Sequence, residues 1–451
     1  METERGWRIG AKSLASRDRA CKEQTSHRLD AHDCYLQVCR LRAFGERLVA
    51  NANAEQVANE SNHHGPQRMN RRHYPLILAL GTTQTLAWAS SYYLPAILAD
   101  PIARDLDISS NWIFAAFSAS LVISAVLGPR VGRQIDLFGG RWVLTISNLT
   151  LAAGLVLLGL AHPIPLLVLA WLLLGIGMGY GLYDAAFGAL GRIYGEAARG
   201  PITGITLIAG FASTVGWPLT ALGLDHIGWR DTCFAWALAH ILIGLPLNLL
   251  MLPPIPGAKL AATMPVKPNI PIDRTMVLIA FAFAAAWTVT GAMAAHFPRI
   301  LEAAGATPAE AAAAGALIGP AQVAARIVEA SVLKRYHPIV STRLACLTHP
   351  LGVVILAIAG SAASSVFAIF HGLGNGVLTI ARGTLPLAVF GPQNYAYRLG
   401  LIGAPSRMGQ AAAPLVFGLL IDVLGSRVLL VSSALSVAAL TALLLLKQPQ
   451  Q

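Results

Sequence analysis

Charged side chains embedded in long apolar runs are the residues of this chain best placed to do chemistry: Arg326 and Glu329, Asp184, Arg382 and Arg407. A charge held at membrane depth costs about 3 kcal/mol or more, so each needs a partner, a water-filled cavity or a function. A guanidinium grips a carboxylate through two parallel hydrogen bonds, and Arg326 therefore reads as an anion-binding residue. The competing reading is a structural pair with Glu329, one helical turn further on. Asp184 and Arg382 stand at nearly corresponding positions of two separate runs and read as a gate or a structural pair. Arg407 either lines a solute cavity or snorkels to a membrane surface.

Uncharged polar groups add to this set. Gln84, Trp88, Tyr92 and Tyr93 recur at i, i+4, i+8 and i+9, which gives them one helix face suited to a solute cavity. For the two tyrosines an interfacial aromatic belt is the stronger reading. Asn375, set between glycines, reads as a solute contact or a helix–helix hydrogen bond. His240, His296, His349 and His371 lack ligand spacing and read as packing residues. The five cysteines form no CxxC and no Cys/His metal pattern. With no Ser/His/Asp constellation either, no enzyme, metal or cofactor is expected.

The elements that hold these residues follow from composition. Of 451 residues, 55% are hydrophobic and 12% charged, against the roughly 25% charge that a soluble domain needs to cover its surface. The mean hydropathy is +0.58. A net charge of +11 does not point to nucleic acid, because the basic residues fall in short clusters between apolar runs. Twelve runs near the 20 or so residues that span a bilayer lie at about 74–98, 111–129, 141–161, 165–190, 201–222, 231–252, 275–297, 309–332, 339–360, 362–388, 397–421 and 428–446. An all-α membrane protein of two six-helix bundles is expected, over 74–252 and 274–447, joined by a proline-rich cytoplasmic linker at 253–273.

Arg71, Arg72, Arg130, Arg133, Arg141, Arg192, Arg199 and their counterparts in the second half all fall on one side of the bilayer. That asymmetry puts both termini in the cytoplasm, with a bacterial inner membrane as the expected location. Residues 1–73 are polar and without periodicity, so disorder is expected there. Met69, which opens MNRRHYPLILAL, is the expected natural start of translation.

The two halves repeat. Gly175, Gly177 and Gly179 recur as Gly372, Gly374 and Gly376, and Asp225-x-x-Gly228-x-Arg230 recurs as Asp422-x-x-Gly425-x-Arg427, both displaced by 197 positions. Such a repeat predicts two similar bundles about an axis along the membrane normal, with the solute between them.

Between the second and third runs stands Gly132-x-x-x-Asp136-Leu137-x-Gly139-x-Arg141. It resembles the signature of the major facilitator superfamily, G-x-x-x-D-[RK]-x-G-x-[RK], and the resemblance extends from about residue 74 to the end. Leu137 replaces the usual basic residue, which leaves one ion pair of the family's gate without a counterpart. The resemblance implies that Asp136 makes a contact that forms in one conformation and breaks in the other.

Gly228-Trp229-Arg230 and Ala324-Ala325-Arg326 look most like the monocarboxylate-transporter branch. In that branch the arginine of the eighth helix binds the substrate carboxylate and an acid four residues earlier helps to carry a proton. Here that position is Gln322, which argues against proton coupling there, and Glu329 is the candidate substitute.

The function implied is secondary transport of a small organic anion by a monomer, with a co-transported proton and the bilayer as its other partners. ATP-driven transport is not expected, since no Walker A motif occurs. An efflux carrier for drugs or toxic oxyanions is the alternative, although Gly216-Trp217-Pro218 splits the Gly-Pro pair of drug antiporters. A non-transporting receptor on the same fold is the alternative from another class.

Overall fold

A computed structural model describes residues 74–162, 164–254, 268 and 270–446. The expected extension 1–73, the Met69 start, Lys447 and most of the linker lie outside the described residues. Among the described residues, seven stretches are long and apolar enough to cross a membrane. Several are runs of spans joined by tight turns. Ile164–Met251 holds the fourth to sixth spans, Pro338–Phe390 the ninth and tenth, and Tyr395–Leu444 the last two. Ser110–Phe138, Gly140–Gly159, Arg274–Ala303 and Pro308–Ser331 are the second, third, seventh and eighth. The first is divided into Tyr74–Ala87, a π turn at Trp88–Tyr92 and Pro95–Asp105, which completes twelve.

The turns follow from sequence. Gly139, after the second span, and Gly228, between the fifth and sixth, adopt φ 82°, ψ 168° and φ 79°, ψ 169°. Only glycine occupies that region without strain. Thr307 and Glu310 form a reciprocal capping box that starts the eighth span, with Pro308 at its first position. Both π turns have one cause. Pro95 and Pro246 have no N–H to return to the carbonyl four residues earlier, and the chain widens just before each, at Trp88–Tyr92 and His240–Gly244.

Apolar side chains point both ways. Buried residues form two clusters mainly within the first six spans and two within the last six. Outward, Ile358 and Val423 are more than 80% exposed, a placement that requires lipid around them. The repeat is visible in the packing. A Cβ on Gly175 or Gly179 would press on Ser120 or Ser124 of the second span, and one on Gly372 or Gly376 would press on Ile318 or Gln322 of the eighth. The chain forms the same close crossing twice, once in each bundle.

Candidate solute site and the contacts that close one face

The loops carrying Asp136, Arg192 and Arg199 define one end of the protein, called here the motif face. Asp136 ends the second span there. Its carboxylate accepts the backbone N–H of Ala396 at 3.1 Å and of Tyr397 at 2.8 Å, at the start of the eleventh span. A negative charge on free N–H groups at a helix start is favourable both as a hydrogen-bond acceptor and through the helix dipole. Gly132 lies against the Ala396 backbone and Gly128 against Gly400, so the second and eleventh spans meet backbone to backbone. Gly139 supplies the turn, and the Arg141 guanidinium lies 6.0 Å from the ring of Trp142. Outside the spans, His337 caps the ninth helix by accepting the Ile339 N–H at 3.2 Å. Burial, with Arg199 and Arg343 nearby, holds its pKa below the usual imidazole value and keeps the capping nitrogen unprotonated.

Deeper in, the fourth span breaks at Leu182, whose backbone is extended between Gly181 and Tyr183. The break frees the Gly181 carbonyl, which accepts from Gln84 of the first span. It also places Asp184 in the first turn of the second half-helix. There Asp184 receives Arg382 of the tenth span through two bonds, at 2.6 and 2.8 Å, and Arg407 of the eleventh at 3.1 and 3.3 Å. The face of Trp287 lies 4.7 Å from the Arg382 guanidinium. The cluster is buried and carries two cations to one anion.

Arg326 differs from these arginines. It is 4% exposed, donates to the Thr206 carbonyl at 2.9 Å and reaches the Gln322 amide oxygen at 3.4 Å. Its Nε has no partner, and no carboxylate pairs with it among the described residues. The competing reading, a structural pair of Arg326 with Glu329, is not what the structure has. Glu329 points to Arg199 of the fifth span at 2.9 Å, and Arg199 also bonds the Tyr336 carbonyl at 2.8 Å. The fifth span is jointed at Gly210, where a Cβ would fall on the Arg326 guanidinium. Glycine there leaves the space that Arg326 fills.

An aromatic group stands across from these charges. Trp88 packs 5.0 Å from Tyr92 and 5.0 Å from Tyr183. The Trp88 N–H and the Gln84 carbonyl oxygen are buried without partners. Tyr92 does not sit in a surface belt: its hydroxyl accepts from Gln410 of the eleventh span at 2.7 Å. Asn375 turns into the second bundle, where its carbonyl accepts from Thr290 at 3.3 Å. Among the described residues, every ion pair joining the two halves uses Asp184 or Glu329, on the motif-face side of the aromatic group.

Sequence reading missed Arg199, which had counted only as a loop charge, and Gln410 and Tyr183. It also read His349 and His371 as unrelated, whereas their rings lie 5.2 Å apart.

The comparisons agree with this architecture. The family model described as Major Facilitator Superfamily matches residues 80–370. An uncharacterized 38 kDa protein in a 23S RNA operon of Thermoproteus tenax is 27% identical over 350 residues, covering 77% of this chain and 89% of that protein. An MFS-type efflux pump of Mycolicibacterium smegmatis is 29% identical over 228 residues, 49% of this chain and 50% of the pump. In fold, the crystal structure of the human organic anion transporter MFSD10 (TETRAN) matches with a TM-score of 0.63 at 14% identity, covering 84% of this chain and all of that one. Twelve spans, a twofold repeat and a family match over most of its length make this chain an integral membrane transporter of the Major Facilitator Superfamily.

Proposed function

We propose that the chain carries a small organic anion, a monocarboxylate in the first instance, across a bacterial inner membrane by alternating access. The observation that carries this reading is Arg326, a buried cation with no carboxylate paired to it among the described residues. An unpaired guanidinium at that depth is costly, and an incoming carboxylate offers the two acceptor oxygens that would satisfy it. The Asp184 cluster adds a second uncompensated positive charge to the same interface. Gln322, Gln84 and the Trp88 N–H supply neutral polar groups around the ligand. The likeness to monocarboxylate transporters at Gly228–Arg230 and Ala324–Arg326 supports the same class.

In this reading the basic loops put the motif face in the cytoplasm and both termini with it. The bonds from Asp136, Arg199 and Asp184 close that face, so the solute enters from the opposite side. Release requires those bonds to part as the bundles 74–252 and 274–447 rock about the site. Both walls of the pathway belong to one chain, so the monomer is the working unit. Export is the second reading of direction, favoured by the name of the Mycolicibacterium smegmatis relative, an efflux pump.

Uptake of radiolabelled small carboxylates into proteoliposomes tests the proposal. Saturable uptake that neutral analogues do not inhibit is expected, and its loss in Arg326→Ala protein of normal membrane insertion. Full transport by Arg326→Ala would overturn the anion site.

A further inference from the structure

A chain of hydrogen bonds inside the second bundle has a direction and an open end. The Ser432 hydroxyl donates to the Leu429 carbonyl at 3.0 Å, so its oxygen is left to accept from His349 Nε2 at 2.9 Å. His349 then carries its proton on Nε2, and its Nδ1 is an acceptor. Across 3.1 Å lies His371 Nδ1, which must be the donor. A neutral imidazole has one N–H, so His371 Nε2 is left with a bare lone pair. That atom has no protein partner among the described residues and is not sealed from the space around it. The space is a cavity of about 20 Å³, room for a water, lined by His371, Thr348, Asn375 and Thr290 among others. In the reversed arrangement, with Ser432 donating, the open end of His371 carries the N–H instead. In either direction His371 Nε2 is the atom that exchanges with the cavity.

We infer that His371, oriented by His349 and Ser432, is the site that binds and releases the proton accompanying the transported anion. The step balances when the proton arrives from bulk as hydronium: His371 Nε2 takes one proton, neutral water is left in the cavity, and the pair gains one positive charge. Nδ1–H remains donated to His349, and release reverses the transfer. One proton per monoanion makes the cycle electroneutral.

The groups packed around the pair leave it the local titrating centre. The ninth span presents Cys346 and Thr348, the twelfth Ser436 and the seventh Thr290. From the eighth, Gln322 lies at Gly376, with Arg326 beyond it and Glu329 engaged with Arg199. The tenth span's own Arg382 is three turns further on and bound, with Arg407, to Asp184 of the fourth. Among the described residues no carboxylate forms an ion pair with either ring. Gln322 stands where the related branch has its acid, and this pair supplies the missing titratable group.

The inference rests on the carrier reading, and two assays on the same vesicles separate them. Counterflow of labelled carboxylate at equal pH on both sides reports transport alone; net uptake driven by a pH gradient reports the proton. His371→Gln is expected to keep counterflow within about twofold while losing the gradient stimulation, and His349→Gln to reduce that stimulation in part. Should His371→Gln give no counterflow, Ser432→Ala carries the test: it keeps both rings, removes the hydroxyl partner and is expected to shift the pH dependence of uptake. Wild-type counterflow with undiminished gradient stimulation in His371→Gln, or no pH shift in Ser432→Ala, overturns the proton site. Absence of counterflow in the wild type overturns the carrier reading itself.

Discussion

The two bundles share a packing plan and differ in the polar groups they hold. The first presents acceptors and rings to the interface: the Asp136 and Asp184 carboxylates, the Thr206 carbonyl, Trp88 and Tyr183. The second presents Arg326, Arg382 and Arg407, and the Arg199–Glu329 pair alone among the described ion pairs between the halves runs the other way. The buried histidines differ in the same way. His240, in the first bundle, is satisfied on both nitrogens by Ser90 at 2.7 Å and Asn148 at 2.9 Å, so it ties two π-turned spans together. His371, in the second, has one nitrogen held and one open to a cavity. Duplication supplied the scaffold, and the surplus of cations at the seam between its copies is what the proposed anion would complete.

The comparison can be broken most forcefully at Arg326. Two charge-assisted bonds contribute about 3 kcal/mol between them, so Arg326→Ala is expected to lower initial uptake by about 100-fold, read in proteoliposomes. Next comes Asp184→Asn, which strands two buried guanidinium groups, Arg382 and Arg407, without their shared carboxylate. A loss on the order of 3 kcal/mol is expected, seen as a lower melting temperature in detergent by intrinsic fluorescence. Unchanged melting would mean that the cluster is hydrated and not a lock.

A finer test uses Gly210→Ala, which touches no charge but pushes a methyl group against the Arg326 guanidinium. A roughly tenfold rise in the carboxylate concentration for half-maximal uptake is expected, about 1.4 kcal/mol, with membrane insertion unaltered. The smallest effect belongs to His240→Gln. Because that ring is satisfied on both sides, its loss is expected to lower thermal stability and leave the pH dependence of uptake unchanged, in contrast to His371→Gln.

Much of this was legible in the residues. Bilayer-length apolar runs, one-sided basic loops and a repeat at 197 positions specify twelve spans in two bundles, because lipid imposes length and charge rules that a soluble core does not. Asp184 and Arg382 are 198 positions apart, almost one repeat, and so arrive at the same depth on opposite sides of the pseudo-twofold axis. Arg199 and Glu329 gave no such signal: they meet across 130 positions, and hydropathy cannot say which faces of two spans point at each other. The histidine pair did leave a trace. His349 and His371 stand eleven residues either side of the turn at Gly360, the register of an antiparallel helix pair, which residue-by-residue inspection of ligand spacing passes over.

The central claim is that an anion completes Arg326. Calorimetric titration of a small monocarboxylate into purified wild-type and Arg326→Gln protein measures this without vesicles, gradients or direction. Saturable binding to the wild type that vanishes in the variant, with Asp184→Glu still binding, is the predicted result. Equal affinity in wild type and Arg326→Gln would contradict it.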